Sequence, residues 1–318
     1  MTRAANQKRQ RQPAPRRKPS QPLRLPLLLA AIGVAGGLVA GVLLWKESGN
    51  GGEEVFDGVP TSDPGPVHVH GLGINPSDGS LFIATHTGLF RVAADSRKAV
   101  RVGDRFQDTM GFSVAGPDRF LGSGHPDARE QALPPLLGLI ESTDAGRTWE
   151  PISLLGDADF HVLRSAGPRV YGYDASNDRL LASADEGRSW NELDKPGQMV
   201  DLAANPGDPQ RLVATAVGSL GAGMYESRDA GKTWRRLNDA VGLLAWPARD
   251  RLYLIDGQGQ VLRSSEGGRR LIAHGQIGGE PAALLGQGPD ELYVALHDGT
   301  IKRSRDGGVT WTVRSTPS

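Results

Sequence analysis

The chain runs to 318 residues, with 36 basic and 36 acidic side chains, 43 glycines, 22 prolines and no cysteine. The absence of cysteine excludes a disulfide-stapled scaffold, so the core must hold the fold unaided, and about 250 residues of folded chain suffice for that. The glycine and proline content suits one large, turn-rich domain with appended segments.

The zero net charge conceals a split. Eight basic residues from Arg3 to Arg24 precede the first acidic residue, Glu47, leaving 28 basic against 36 acidic residues after them. Residues 1–25 are a basic tail of mixed Gln, Pro, Lys and Arg, suited to the anionic inner leaflet of a membrane and requiring no nucleic-acid partner. Residues 26–45 follow, and from 27 to 45 the sequence LLLAAIGVAGGLVAGVLLW passes nineteen residues without a charge. That length crosses the hydrocarbon core as a helix. The positive charges ahead of it predict a cytoplasmic N-terminus, a single-pass anchor in the cell membrane and an extracytoplasmic remainder. A cleaved signal peptide is the alternative, and it lacks both a small-x-small cleavage site and a cysteine for lipid attachment. Gly33, Gly37 and Gly41 lie four apart on one helix face, a pattern that lets two anchors pack as a dimer but is also common in membrane helices generally. Residues 46–66, KESGNGGEEVFDGVPTSDPGP, read as a solvated acidic tether, which places the folded domain at 67–318.

The domain opens with VHVHGLGINPSDGSLFIATHTGLF, in which His68 and His70 stand two apart. Residues at that spacing share one face of a strand, so both rings can turn toward one point. The spacing suits metal ligation or catalysis, and equally a strand that ends in solvent.

Farther along, STDAGRTW begins at Ser142, SADEGRSW at Ser183, SRDAGKTW at Ser227 and SRDGGVTW at Ser304, with a worn copy, SSEGGRRL, at Ser264. The steps of 41, 44, 37 and 40 residues match one four-stranded propeller blade. These repeats resemble the Asp-box, or bacterial neuraminidase, repeat family, and the resemblance covers most of the chain from Val67 onward. It implies a β-propeller in which each box is the turn between the third and fourth strands. There the Ser and Asp side chains bond the turn backbone, Gly supplies the special dihedral and Trp packs into the blade. By this resemblance Asp144, Asp185, Asp229 and Asp306, with Trp149, Trp190, Trp234 and Trp311, are structural.

Counting strands around the boxes gives six contiguous blades. Blade 1 comes from VHVHGLGI, LFIATH, GLFRV and AVRVG, blade 2 from the segments after it, blade 3 from DFHVLRSAG onward, and blades 4, 5 and 6 start near Met199, Val241 and Pro281. The fold class is therefore all-β, a six-bladed propeller behind an N-terminal transmembrane helix. Starts of first strands and ends of second strands share the rim opposite the boxes. His68, His70, His86, His125, His161 and His297 fall there, with Asp108, Asp127, Asp159 and Tyr173, while His274 lies elsewhere. The segment HPDAREQALPP, residues 125–135, lengthens one connection on that rim and has the look of a lid.

Imidazoles and carboxylates converging on one point suit a transition metal, Zn, Cu or Fe, with His68, His70, His86, His125 and His161 as candidate ligands. A glycoside hydrolase is the alternative, with Asp108, Asp127 or Asp159 as acid and base and Tyr173 as a nucleophile facing the site. A protein-interaction scaffold is the third, so a metal, a glycan or a protein is the ligand expected. Sialidases resemble one another in an Arg-Ile-Pro type motif and an arginine cluster. Here the comparable Arg24-Leu25-Pro26 stands at the start of the apolar stretch, and only Arg105 is placed near the rim. The segments HVHGLG, ATHTGLF, MGFSVAG, SGHPD, ADFH and YGYD are similar to a group of bacterial surface propellers labelled glycosyl hydrolase or exo-sialidase on the strength of their repeats, a label that rests on fold.

Overall fold

A computed structural model describes residues 63–218 and 221–317. The basic tail, the apolar stretch and most of the tether lie outside the described residues, among which no helix is long and apolar enough to cross a membrane. The described residues form six four-stranded antiparallel sheets, each from four consecutive strands. Blade 1 holds β1 (Val69–Ile74), β2 (Leu81–Thr85), β3 (Gly88–Val92) and β4 (Val100–Arg101), and blade 2 holds β5 (Asp108–Gly116), β6 (Arg119–His125), β7 (Leu139–Ser142) and β8 (Glu150–Ser153). Blade 3 holds β9 (Phe160–Ala166), β10 (Arg169–Asp174), β11 (Arg179–Ser183) and β12 (Asn191–Leu193), and blade 4 holds β13 (Gln198–Asn205), β14 (Asp208–Gly218), β15 (Gly221–Ser227) and β16 (Arg235–Asn238). Blade 5 holds β17 (Leu243–Ala248), β18 (Arg251–Ile255), β19 (Gln260–Ser264) and β20 (Ile272–Gln276), and blade 6 holds β21 (Pro281–Gly288), β22 (Glu291–Leu296), β23 (Ile301–Ser304) and β24 (Thr312–Ser315).

The first strands, β1, β5, β9, β13, β17 and β21, contact one another in sequence, and β21 meets β1 to close the ring around a central channel. Outer strands help closure, since Arg314 donates to the Ala93 and Ser96 carbonyls and Ser315 Oγ to the Arg97 carbonyl. Second strands such as β2 (LFIAT) are buried throughout because a blade stacks on each of their faces, whereas the fourth strands carry polar, exposed residues at the outer edge.

The core sits between blades rather than within them, in six apolar clusters, one at each seam. Between blades 2 and 3, for instance, Leu121 and Leu139 meet Phe160, Leu163, Val170 and Leu181. This relocates the box tryptophans. Trp149, Trp190, Trp234 and Trp311 are only partly buried, and each packs on the seam facing the preceding blade instead of filling its own. In the worn fifth box Leu271 takes the same place. The box glycine follows the same logic: a Cβ on Gly187, whose φ is +88°, would stand 2.0 Å from Leu139 Cδ2 of blade 2.

The boxes themselves connect the third and fourth strands of blades 2 to 6. In blade 3, Ser183 Oγ donates to Asp185 Oδ1 at 2.7 Å and accepts from the Gly187 amide at 2.8 Å. The Ser189 amide and hydroxyl donate to the two oxygens of Asp185 at 2.9 and 2.6 Å. These bonds, made within seven residues, hold the Asp185 carboxyl well below the usual carboxylate range. Residues 63–66 are also tied to the domain, through Asp63 paired with Arg101 and Thr87 Oγ1 donating to the Gly65 carbonyl.

Candidate metal centre at the channel mouth

Five of the six first strands break register near their start, each by one extra residue. The residues passed over are His70 against β2, Met110 against β6, His161 against β10, Val200 against β14 and Ala282 against β22. A bulge re-aims its side chain out of the strand's alternation. All five, joined by Leu243 of blade 5, line one cavity of about 180 Å³ in the channel, with Arg164 and Asp201 deeper on its wall. Of these six, only His70 in blade 1 and His161 in blade 3 are polar.

His70, His86 and Asp108 gather at the seam between blades 1 and 2, each offering a ligand atom within 4.8 Å of the others. His86 Nδ1 lies 3.0 Å from Asp108 Oδ2, and His70 Nε2 lies 3.7 Å from Asp108 Oδ1. Two ligands of a tetrahedral ion at about 2.0–2.1 Å stand roughly 3.3 Å apart, between those two separations. The His70 ring keeps 24% of its surface, yet its Nε2 is buried and lacks a hydrogen bond, as does Asp108 Oδ1. Burial pulls His70 down to about 4, against the opposing attraction of Asp108, and the imidazoles of His161, His86 and His68 add to the fall. The ring is therefore neutral at pH 7 and its lone pair is available.

His125, Asp159 and His161 gather one seam farther round. His161 Nε2 is 2.7 Å and His125 Nε2 3.7 Å from Asp159 Oδ2. Asp159 is 1% exposed, and its Oδ1 also lacks a partner. Although burial acts to raise its pKa, the hydrogen bond from His161 and the nearby imidazoles hold it below the ordinary value.

The remaining sequence-predicted residues lie outside these groups. His68 precedes β1, is exposed, and has φ +52°; its carbonyl accepts from the His86 amide at 3.2 Å, and its ring stands edge-on to the His86 ring with centroids 6.1 Å apart. The two rings do not share a strand face, because β1 starts at Val69 and bulges at His70, yet both come to the His86 ring, with centroids 6.1 and 6.2 Å from it. Asp127 is buried and clamped by Arg129 at 2.6 Å and by the Phe106 and Arg129 amides, which holds its carboxyl far below the usual range. Tyr173 is packed in the seam between blades 3 and 4 rather than facing the channel, and its hydroxyl donates to Asp178 at 2.6 Å. Burial raises its pKa further still, which disfavours a nucleophilic phenolate.

The 125–135 segment is a fixed flange. His125 Nδ1 meets the Pro135 carbonyl at 2.9 Å, Arg105 pairs with Glu130 at 2.5 Å, and Arg129 reaches the Asp104 carbonyl. Sequence reasoning missed Met110 and the Arg164–Asp201 pair, which joins at 2.6 Å on the channel wall.

Fold and site together define an all-β six-bladed propeller carrying a histidine–aspartate cluster at one mouth of its channel. No family model matches the chain. Over 99 residues it is 31% identical to the dispase autolysis-inducing protein of Streptomyces mobaraensis, a match covering 31% of this chain and 25% of that relative. Among solved structures it is similar to a GH74 enzyme of Niastella koreensis, with 13% identity, a TM-score of 0.56, and coverage of 79% of this chain and 46% of the enzyme. A nidogen/laminin complex shares 14% identity and a TM-score of 0.55 over 70% of this chain and 88% of its own. The GH74 xyloglucanase of Xanthomonas campestris shares 18% and 0.50 over 80% of this chain and 46% of its own. At these identities the likeness is one of fold, and the chain spans less than half the length of either GH74 enzyme.

Proposed function

We propose that the protein is a membrane-anchored, extracytoplasmic propeller that binds a transition-metal ion at His70, His86 and Asp108. The observation that carries this reading is the pair of buried, hydrogen-bond-free ligand atoms, His70 Nε2 and Asp108 Oδ1, facing each other at 3.7 Å. A native fold rarely leaves such atoms orphaned, because each costs about 1–3 kcal/mol unless something binds it. Two imidazoles and one carboxylate suit Zn, Cu or Fe and leave a fourth coordination position for water or a ligand from the channel. The +8 tail and the uncharged stretch at 27–45 support the anchor and its orientation.

Glycoside hydrolysis needs one rim carboxyl kept protonated as an acid and a second as base or nucleophile. The rim instead holds Asp127 and Asp159 below the ordinary value, which suits ligation or ion pairing better than proton donation. The test is metal content. The full-length chain, purified in detergent without chelator and titrated with Zn, Cu and Fe salts, should bind at micromolar level, and His70→Ala should remove one ion per chain while the fold stays intact. Binding of none of the three metals, or unchanged binding in the variant, overturns the reading.

A further inference from the structure

Blade 1 carries no box. Its turn between β3 and β4 reads AADSRKA, and the strand register shows what replaces the tryptophan. Arg91 pairs with Val100 as Glu141 pairs with Glu150 and Ala182 with Asn191, so Ala99, directly before β4, stands where Trp149 and Trp190 stand before β8 and β12. Ala99 is buried in the seam between blades 6 and 1, but its methyl group covers far less of the preceding blade than an indole does. The seam is bridged from the other side, by Arg314 and Ser315 of β24, which bond the carbonyls of this turn.

A cavity of about 450 Å³ lies between the blade 1 turn and the outer strands of blade 6. Four arginines line it, Arg97, Arg303, Arg305 and Arg314, against one carboxylate, Asp95. Two of the four are fixed. Arg303 Nε donates to Glu291 Oε1 at 2.7 Å with its guanidinium over the Tyr293 ring, and Arg314 donates to the Ala93 carbonyl at 2.7 Å and to that of Ser96. The other two, Arg97 and Arg305, are exposed and, among the described residues, enter no ion pair and no side-chain hydrogen bond. Arg314 meets carbonyls but no carboxylate. Burial lowers its pKa, Tyr293 opposes the fall, and the like charges of Arg303 and Arg97 add to it. Elsewhere the propeller neutralises such groups: Arg119, Arg179 and Arg251 each meet two carboxylates.

We propose that this groove binds a soluble phosphate ester, with Arg303 and Arg314 as its fixed wall and Arg97 and Arg305 closing on the outer oxygens. A guanidinium has five donors in a planar fork that matches phosphate oxygens, and the two fixed arginines spend only part of theirs on the protein. Three guanidiniums without a carboxylate suit a ligand of more than one negative charge, which a phosphate monoester supplies and a single carboxylate does not. The described chain enters the domain at the opposite rim, where Thr87 Oγ1 donates to the Gly65 carbonyl, whereas the blade 1 turn sits on the box face. A chain anchored through that segment turns the groove away from the bilayer, which favours a soluble phosphate over a lipid headgroup.

The test titrates sodium pyrophosphate into the full-length chain by calorimetry, after EDTA stripping and desalting so that no metal holds the probe. The chain is carried in lipid discs of phosphatidylcholine or of phosphatidylglycerol, at about 150 mM salt, where charge is screened beyond roughly 8 Å. Wild type should bind one pyrophosphate saturably and equally in both discs. Arg97→Gln/Arg305→Gln should weaken binding at least about tenfold, the loss expected for one charged hydrogen bond, with an unchanged melting curve because neither side chain is packed. Absence of saturable binding, or unchanged affinity in that variant, overturns the site. Equal weakening by Arg147→Gln/Arg188→Gln, which removes the same charge from the boxes of blades 2 and 3, reduces the effect to general attraction and overturns it too. Affinity lost in the phosphatidylglycerol discs alone makes a lipid surface the occupant and overturns the soluble ligand.

Discussion

The two faces of the propeller use aspartate in opposite ways. On the box face Asp229 accepts from Thr233 Oγ1, the Thr233 amide and Ser227 Oγ, all within four residues, and these bonds hold it at about 2. On the opposite rim Asp108 is met by His70 and His86 of blade 1, and Asp159 by His125 of blade 2 as well as by His161 two residues on, and each carboxylate retains a buried oxygen with no hydrogen bond. A carboxylate whose acceptors are all met by its own turn has no capacity left for a ligand. One assembled from distant strands and left incomplete does. Prominence in the sequence therefore ran opposite to chemical availability, since the repeated aspartates are the saturated ones.

The largest effect that would sharpen this contrast is on metal affinity. His70→Ala/His86→Ala removes two ligands of three and should weaken metal binding by at least about 100-fold, beyond the loss typical of orienting partners, with little change in melting temperature. Isothermal titration of the stripped chain reads it, and near-wild-type affinity would erase the distinction between the faces.

Next comes Trp190→Ala on the box side. The ring stacks on Phe160 at 5.0 Å and donates to Ser153 Oγ at 2.9 Å, yet is only partly buried. The expected cost is about 2–3 kcal/mol, at or below the low end for a buried tryptophan. Chemical denaturation should show it while metal stoichiometry stays unchanged; loss of metal from a folded Trp190→Ala chain would couple the faces.

A comparable effect follows from pH. His70 has a folded pKa near 4 against an unfolded value of about 6.5, so the unfolded chain takes up its proton first. The apo protein keeps its full stability from this group above about 6.5 and loses it as pH falls toward about 4. Melting temperatures of EDTA-treated wild type should decline more steeply across that window than those of His70→Asn. Equal slopes would show that the ring is not held in a buried, neutral state.

The smallest effect is expected at Asp185→Asn, which retains one acceptor for the turn. Its melting temperature should fall less than that of Trp190→Ala, with metal binding intact. A drop exceeding the tryptophan variant would make the box carboxylate, rather than the seam, the main contributor.

The blade count and the box turns were legible because their determinants are local: a turn needs Ser, Asp and Gly at fixed offsets, and the period sets the blade. The rim was legible from strand direction alone, which brought His70, His86 and Asp108 to one end. What escaped was non-local. Whether a strand bulges depends on how many residues its partner supplies, so neither the separation of His68 from His70 nor the turning of Met110 and His161 into the channel could be read from one strand. Tyr173 and Trp190 were misplaced for the same reason, because their burial is set by the neighbouring blade. Asp127 was different: Arg129, two residues on, could have been recognised as its clamp.

The bulges also separate two kinds of change. A residue in regular alternation answers to the seam behind it, so replacing it disturbs packing between two blades. A residue passed over by the ladder turns to the channel instead. His70, Met110, His161 and Val200 belong to none of the six seam clusters and can therefore be exchanged with the seams left as they are, whereas Ala282 also packs on the seam between blades 6 and 1. The mouth of this propeller is in that sense a writable ring, four positions where chemistry can be drafted and redrafted while the architecture stays fixed.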